Sequence, residues 1–216
     1  MKNPLTPIQL TIDRLKNKYS KQLNETDSEN LKDNLKIINN QIKQIEKLVN
    51  EFSDFARMPK PTFRDNNLVD IIHENINLLK ELDNSIDIIF KKDSDKIILE
   101  SDKEQISRVF LNLIKNSIES INQKAQKDNN FSKKITIELT QVDSHIKSTI
   151  EDNGIGFNEL KDNIKNILNP YFTTKKNGTG LGLSIVNKII NDHNGKIDFI
   201  PINNGAKINI IFLKQK

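Results

Sequence analysis

The sequence predicts an α+β protein in which a two-helix hairpin precedes a two-layer α/β sandwich. Three observations support this class. An apolar heptad runs through the first part of the chain, strand and helix patterns mix after Pro59 and Pro61, and five of the seven glycines fall in two short clusters. Heptads predict paired helices, and segregated strands and helices predict a sheet covered by helices on one face.

Apolar residues in the first part of the chain recur at alternating steps of three and four. They are Leu5, Ile8, Ile12, Leu15 and Tyr19, and then Leu31, Leu35, Ile38, Ile42, Ile45, Val49, Phe52 and Ala56. The polar segment 24–29 predicts the turn, with Asp27 or Ser28 as the cap of the second helix. Because two helices with narrow apolar seams bury little alone, the pattern favours a dimeric four-helix bundle, a homodimer of this chain. Packing of both helices on the rest of one chain is the alternative.

The two prolines end the second helix, since a residue that precedes proline disfavours the α conformation. The sequence therefore predicts a helical hairpin over 1–58, a linker over 59–63 and a second domain over 64–216. Helical patterns in that domain cover 68–82, 105–123 and 182–192, and strand patterns cover 86–90, 96–99, 135–142, 146–151, 196–200 and 207–212. These elements predict a mixed sheet with helices on one face.

Composition excludes several classes of protein. The chain has 216 residues, no cysteine and a net charge of +4 that is spread along its length. Its mean hydropathy of −0.57 indicates a soluble protein, and no apolar stretch approaches the ~20 residues that span a bilayer. Disulfides and thiolate metal sites are excluded. Without a basic stripe interleaved with aromatic residues, no nucleic-acid partner is expected.

The glycine clusters predict a nucleotide site. The clusters are Asp152–Gly156 and Gly178–Leu183, and the second runs into a helical pattern whose N-terminal N–H groups suit a phosphate. Neither cluster has the lysine of a Walker loop or the spacing of a dinucleotide fingerprint. Upstream, Asn112 and Asn116 lie one turn apart on an otherwise apolar helix, where unpaired amides are costly.

The side chains of these motifs suit separate parts of a nucleotide. Asp152 ends a predicted strand before a tight turn, where its carboxylate can accept a hydrogen bond from an exocyclic amino group. Asp-Asn-Gly is also a strong turn signal, so a plain turn is the alternative. The amide oxygens of the two asparagines are suitable hard ligands for Mg²⁺.

These motifs resemble the ATP-binding domain shared by sensor histidine kinases, GyrB, Hsp90 and MutL. Asn112 to Glu119 is similar to the N box of that family, Asp152 to Gly156 to its first glycine box, Pro170 to Lys175 to its F box, and Gly178 to Leu183 to its second glycine box. The opening segment 2–10, together with FSDFARMPKP at 52–61, looks most like the NtrY type of nitrogen-regulation sensor kinase.

The resemblance implies phosphoryl transfer from Mg·ATP to a histidine, and then to an aspartate of a response regulator receiver domain. It assigns catalytic roles to Asn3, Asn112 and Lys115, the Mg²⁺ contact to Asn116 and the reading of adenine to Asp152. The implied ATP-binding residues are Asn112, Lys115, Asn116, Asp152, Gly154, Gly156, Thr174, Lys175, Gly178, Thr179, Gly180, Leu181, Gly182 and Leu183. The segment 158–177 between the glycine boxes suits a lid.

The chain departs from the resembled family at its first residue. The acceptor motif of that family reads His-Glu-x-Lys-Asn-Pro, and Met1 occupies the x position. The acceptor would therefore lie just before the chain, and the chain as given is expected not to phosphorylate itself. The histidines present, His73, His145 and His193, are far from this segment and show no metal-ligand spacing, so all three are expected at the surface.

Two alternatives to a kinase remain at this stage. One is a dimeric ATP-binding and regulator-docking module without kinase activity. The other, an ATPase of the GyrB or Hsp90 type, is disfavoured, because that type would need a catalytic glutamate early in the asparagine helix, where this chain has Arg108 and Asn112. The resemblance implies a cytoplasmic location, with membrane anchoring only in a longer parent protein.

Overall fold

A computed structural model describes residues 5–20, 22–126, 128, 130–157, 164–175 and 178–213. The chain divides into two compact units. The helical unit consists of Met1–Met58 with Thr174–Thr179, and the α/β unit of Pro59–Thr173 with Gly180–Lys216. Among the described residues, no helix combines the length and the apolar character that crossing a membrane requires.

The helical unit contains α1, Thr6–Tyr19, and α2, Glu25–Ala56. Pro7 lies in the first turn of α1, where its missing N–H would have no partner within the helix. The cap of α2 is Asn24, whose side chain accepts a hydrogen bond from the Asp27 N–H at 2.9 Å. The predicted cap, Asp27 or Ser28, was therefore wrong, because the helix begins about one turn earlier.

The apolar seam of the hairpin divides into two sets. Ile12, Leu35 and Ile42 are buried against each other, and Leu5 and Leu31 pack on them. The other seam positions of α2 are exposed, namely Ile38, Ile45, Val49, Phe52 and Ala56. Only part of the heptad is therefore buried within the helical unit itself.

The α/β unit confirms the predicted sandwich of helices and a mixed sheet. Its elements are β1 (Arg64–Asn67), α3 (Leu68–Leu82), β2 (Asp87–Lys92), β3 (Ile98–Ser101), α4 (Lys103–Ala125), β4 (Lys134–Val142), β5 (His145–Asp152), a 3₁₀ turn (Ile164–Asn166), α5 (Gly182–Asp192), β6 (Gly195–Ile202) and β7 (Gly205–Leu213). The strand β1 was not predicted. Its sequence, Arg-Asp-Asn-Asn, is polar throughout and has no alternation of apolar residues.

The main sheet has the strand order β2-β4-β5-β7-β6, and β1 pairs separately with β3. Among the described strands, β2 and β4 form a parallel pair and the other neighbours in the main sheet are antiparallel, so the sheet is mixed as predicted. One face of the sheet carries the buried side chains of β4, β5 and β7, and α4 packs against β4, β5 and α5. The buried face of α4 consists of Gln105, Ile106, Val109, Phe110, Leu113, Ile114, Ser117 and Ile121. The helix α4 thus lies at the centre of this core.

The segment 59–63, which the sequence predicts as a linker, groups with the α/β unit. The Gln105 side chain donates a hydrogen bond to the Pro59 carbonyl at 3.0 Å, and the Thr62 N–H donates to Asp102 Oδ2 at 2.9 Å. The Phe63 ring lies 5.1 Å from the ring of His193, measured between centroids. These contacts attach the segment to the beginning of α4 and the end of α5.

His193 is buried, so the expectation of a surface position was wrong for this histidine. Its Nε2 accepts a hydrogen bond from the Asp102 N–H at 3.0 Å, and its Nδ1 lies 2.8 Å from the Ile189 carbonyl oxygen. Since a carbonyl oxygen only accepts, both bonds require the neutral ring with its proton on Nδ1. His73 and His145 are exposed as expected.

Candidate functional site

Asp152 is the last residue of β5, and its side chain lies beside α4 among several hydrogen-bond donors. Its side chain is buried, with only 5% of the residue exposed. Oδ1 accepts a hydrogen bond from the Gly154 N–H at 2.9 Å. The Ser117 hydroxyl and the Ala206 N–H also donate to this carboxylate. The turn after β5, the helix α4 and the start of β7 therefore all hold the same side chain.

The environment of Asp152 acts on its charge in two opposing ways. Burial raises the pKa of the carboxyl, because a charged group loses hydration in the interior. The hydrogen bonds from Gly154, Ser117 and Ala206 and the nearby Lys124 ammonium each lower that pKa, and burial outweighs them. The charged form of Asp152 thus depends on the donors that surround it.

The glycines of the first cluster allow close backbone approach. A Cβ atom at Gly154 would lie 2.2 Å from Ser120 Oγ and 2.8 Å from the Ile121 nitrogen of α4. Gly156 has a φ of +70°, and a Cβ there would lie 2.2 Å from the Gly205 carbonyl oxygen. The Ser120 hydroxyl accepts a hydrogen bond from the Ile155 N–H at 3.1 Å. The turn after Asp152 is therefore packed between α4 and the β6–β7 turn.

The asparagine helix and the second glycine cluster meet at the start of α5. Asn112 Nδ2 donates to the Arg108 carbonyl at 2.8 Å, and a Cβ added at Gly182 would lie 3.3 Å from Asn112 Oδ1. The N-cap of α5, Leu181, has an apolar side chain, and no acidic residue lies in the first turn. The positive end of this helix is thus not neutralised by its own first turn, which suits an anion.

The remaining residues of the asparagine helix differ in exposure. Asn116 is half-buried and interacts with another group of the protein, whereas Lys115 is exposed. The amide oxygens of the two asparagines are neutral and hard, as Mg²⁺ prefers, and Asn112 commits its NH₂ group to the helix backbone. The donor set therefore fits a magnesium-bound phosphate beside the first turn of α5.

The second glycine cluster also contacts the segment that resembles the F box. The Tyr171 N–H donates to the Gly180 carbonyl at 3.0 Å, and a Cβ at Gly180 would lie 2.4 Å from the Tyr171 carbonyl carbon. Both residues have positive φ, +68° at Tyr171 and +70° at Gly180. The approach of the two backbones therefore requires glycine at position 180.

The structure groups four other predicted ATP-binding residues with the helical unit, namely Thr174, Lys175, Gly178 and Thr179. There the Gly178 N–H donates to the Lys175 carbonyl at 3.1 Å, and the Thr179 hydroxyl donates to Glu51. The catalytic candidate Asn3 and the lid positions 158–163, 176 and 177 lie outside the described residues.

Sequence reasoning missed four residues that support the Asp152 turn. They are Ser117, Ser120, Lys124 and Gly205. Gly205 has a φ of +112°, and a Cβ there would lie 1.8 Å from the Asp152 carbonyl oxygen. A serine on the apolar face of α4 and a glycine between two strand patterns were the available signals. Neither signal says which distant residue each one contacts.

Comparison with protein families gives two matches. Residues 101–216 match the family described as histidine kinase-, DNA gyrase B- and HSP90-like ATPase. Residues 1–61 match the His Kinase A (phospho-acceptor) domain. The two matches together cover the helical hairpin and the α/β unit from residue 101 onward, and neither includes residues 62–100.

Curated relatives resemble the chain over almost its whole length. The nitrogen regulation protein NtrY of Azorhizobium caulinodans is 33% identical over 213 residues, which are 97% of this chain and 27% of that protein. A putative sensor histidine kinase, NtrY-like, of Rickettsia prowazekii is 35% identical over 213 residues, which are 98% of this chain and 34% of that protein. The chain thus spans between a quarter and about a third of the length of these relatives.

Solved structures agree in fold. The crystal structure of histidine kinase ThkA in complex with response regulator protein TrrA has a TM-score of 0.69 and 29% identity, and covers 99% of this chain and 58% of that chain. The catalytic domain of ThkA has a TM-score of 0.61 and 32% identity, and covers 71% of this chain and 96% of that chain. The predicted fold class is therefore confirmed.

Proposed function

We propose, because the chain belongs to the histidine kinase-, DNA gyrase B- and HSP90-like ATPase family, that it binds Mg·ATP and transfers the γ-phosphoryl group to a histidine. The observation that carries this proposal is the close approach of Asn112 on α4 to the start of α5, where a Cβ added at Gly182 would lie 3.3 Å from Asn112 Oδ1. The same helix supports Asp152 through Ser117. One helix thereby connects a candidate base-reading carboxylate with a candidate phosphate site.

Each group has a separate role in this proposal. Asp152 accepts a hydrogen bond from the adenine amino group, since a buried carboxylate favours a donor over an acceptor. The backbone N–H groups of Gly180, Leu181, Gly182 and Leu183 bind phosphate oxygens at the N-terminus of α5. Asn116 binds magnesium, and Asn112 and Lys115 lie near the phosphates. Bound magnesium would neutralise charge on the phosphate oxygens.

The other predicted residues extend the site toward the phosphates. Gly154 and Gly156 hold the turn after the base-reading carboxylate, and Thr174, Lys175, Gly178 and Thr179 contribute hydroxyl, ammonium and backbone donors. Asn3 acts beside the phosphoryl-accepting histidine. The chemistry of the chain is then positioning and charge stabilisation, which supply most of the catalysis in phosphoryl transfer.

The proposal includes two protein partners. The exposed half of the heptad, at Ile38, Ile45, Val49 and Phe52, would pack against a second copy of the chain. A response regulator receiver domain would take the phosphoryl group on an aspartate, as the regulator bound in the ThkA–TrrA complex suggests. The NtrY relative supports a role in nitrogen regulation, at the cytoplasmic face of a membrane-anchored parent.

Transfer of radiolabelled phosphate tests this function directly. The acceptor is a separate hairpin of residues 2–58 that is preceded by the His-Glu-x of the acceptor motif, and the control is the same hairpin with glutamine in place of that histidine. We expect acid-labile label on the first hairpin only. ATP binding without any transfer would instead favour the alternative function, a dimeric ATP-binding and regulator-docking module.

Two substitutions separate the metal and base contacts. Asn116→Ala removes the proposed metal ligand, so it should weaken the binding of Mg·ATP more than the binding of metal-free ATP. Asp152→Ala removes the adenine acceptor, so it should weaken both by a similar factor. Calorimetry on folded protein measures the affinity of wild type and of both variants for each ligand, and equal binding by all three proteins would contradict the site assignment.

A further inference from the structure

Lys124 closes the turn that follows Asp152. Its Nζ lies 2.9 Å from the Asn153 carbonyl oxygen and 3.1 Å from the Gly154 carbonyl oxygen, and it donates to both. A third bond, of 3.4 Å, reaches Asn204 Oδ1 in the turn between β6 and β7. An ammonium has three N–H donors, so these three oxygens match its whole donor set.

The two carbonyls belong to the turn that orients the buried carboxylate. Asp152 accepts a hydrogen bond from the Gly154 N–H, and Lys124 donates to the carbonyl of that same residue. The Lys124 ammonium also lies 4.9 Å from the centroid of the Phe131 ring, which limits its movement. A lysine near the C-terminal end of α4 therefore fixes a turn about thirty residues away in sequence.

Lys124 is also the cation whose charge acts on Asp152. Its positive charge lowers the pKa of that carboxyl and so opposes the effect of burial. The other charged groups on the adjoining strands have partners of their own or lie on the exposed face. Glu151 pairs with Lys207 at 3.1 Å, and the Lys134 side chain is exposed while its backbone N–H donates to Asn153 Oδ1.

We propose that Lys124 is a positioning residue for nucleotide recognition, whose three hydrogen bonds hold the Asp152–Gly154 turn closed beside α4 and so orient the Asp152 carboxylate toward a base that carries an amino group. The inference rests on the proposed function, because it takes an adenine nucleotide as the ligand. It adds a residue outside the asparagine and glycine motifs. It also gives the ammonium two separable tasks, hydrogen bonding to the turn and charge toward the carboxylate.

The sign of the expected pH effect follows from the charge. Asp152 must be ionised to accept a hydrogen bond strongly, so nucleotide affinity falls as the pH falls through the pKa of Asp152. Without the Lys124 cation that pKa rises further. The loss of affinity on the acid side should therefore begin at a higher pH.

The test is calorimetric titration with Mg·ATP across pH 5 to 8, with thermal unfolding as a check that each variant is folded. Lys124→Met removes the donors and the charge, Lys124→Gln keeps amide donors without the charge, and Lys124→Arg keeps both. Lys91→Met is the matched control, since Lys91 is an exposed lysine paired with Glu138. The protonation of ATP itself changes with pH in the same way in every experiment. A difference between two profiles of affinity against pH therefore reflects a difference between the proteins.

We expect the affinity of Lys124→Met for Mg·ATP at neutral pH to fall by a factor of roughly ten or more, because charge-assisted hydrogen bonds are lost. Its acid limb should shift to higher pH. Lys124→Gln should show the same shift with a smaller loss at high pH, and Lys124→Arg and Lys91→Met should follow the wild-type profile. If the methionine variant does not fold, the glutamine variant carries the test.

Two results would overturn the inference alone. One is wild-type affinity and an unshifted acid limb in both uncharged variants. The other is a uniform loss at every pH with no shift, which would make Lys124 a brace of the fold without a role in ionisation. If the wild-type chain itself does not bind Mg·ATP, the proposed function fails first and this inference fails with it.

Discussion

The two units of this chain bury their apolar residues to very different extents. In the α/β unit, α3, α4, α5 and the strands of the main sheet all contribute buried apolar residues, from Leu68 in α3 to Phe212 in β7. In the helical unit, among the described residues, the buried apolar set is Ile12, Leu35 and Ile42. Many of its large apolar side chains are exposed, namely Ile8, Leu10, Leu15, Tyr19, Leu23, Ile37, Ile38, Ile45, Leu48, Val49 and Phe52.

The α/β unit therefore has a complete hydrophobic core, whereas the helical unit has only part of one. A sheet covered by three helices encloses its own apolar surface, whereas two helices share only a narrow strip. The free energy of folding of the α/β unit should therefore not depend on protein concentration, and that of the hairpin should. The proposed dimer rests on this contrast.

The largest expected effect lies in the complete core. Phe110 is fully buried in α4, so Phe110→Ala should lower the free energy of unfolding of the α/β unit by about 3–5 kcal/mol. Leu78→Ala is the control in the same unit. Because Leu78 is exposed, this substitution should change the free energy of unfolding by no more than about 0.5 kcal/mol. Urea unfolding at two protein concentrations measures both. A comparable loss in both variants would mean that the core is not where the structure places it.

The next effect tests the half core. Ile45 is 49% exposed in one chain, whereas Ile42 is 5% exposed. Ile45→Lys should therefore keep the buried contacts within one hairpin but place an ammonium in the dimer seam, at a cost of several kcal/mol. Light scattering should report a monomer that still binds ATP. Ile42→Lys should instead reduce helicity as well, because it disrupts the contacts with Ile12 and Leu35.

Ile37→Lys is the matched control for the seam. Ile37 is 59% exposed and lies outside the heptad positions, so its substitution should leave the dimer intact. A monomer from this control would mean that the interface lies on another face of α2. A wild-type monomer at micromolar concentration would contradict the four-helix bundle itself.

Local sequence patterns were sufficient for most elements of the α/β unit. The helices at 68–82 and 182–192 were predicted with their observed bounds, because apolar residues keep a helical spacing across both segments. The strand Arg64–Asn67 could not be predicted, since its polar residues form a strand only by pairing with Ile98–Ser101. Its structure is decided by a partner more than thirty residues away.

The residues of the candidate site also differ in whether the local sequence predicts them. Asp152, Asn112 and the glycines carry motifs that can be read locally, and the structure gives physical reasons for several of them. Lys124 and His193 carry no local signal, because their hydrogen bonds join residues about 30 and 91 positions apart. Residues that hold a site in place are therefore harder to predict than residues that would touch a ligand.

The smallest expected effect concerns segment 59–63 at the start of the α/β unit. Asp102 accepts the Gln105 N–H at 3.1 Å, which caps α4, and the Thr62 N–H at 2.9 Å, which holds segment 59–63. Asp102→Ser keeps a good cap, but the serine side chain is too short to keep the bond to the Thr62 N–H. The substitution should therefore lower the free energy of unfolding by about 1 kcal/mol or less. Hydrogen exchange should speed up at the Thr62 amide and stay unchanged at the Gln105 amide.

The pH dependence of this bond provides the final discrimination. Burial acts to raise the pKa of Asp102, but the N–H groups of Thr62, Gln105 and Glu104 outweigh it and lower that pKa below its usual value. A carboxyl with a lowered folded-state pKa stabilises the fold above its unfolded pKa, and this contribution is lost as the pH falls through the folded value. The difference between wild type and Asp102→Ser should therefore shrink in acid. If Thr62 exchanges equally fast in both proteins at neutral pH, Asp102 does not hold the segment, and the Phe63–His193 contact becomes the element to substitute next.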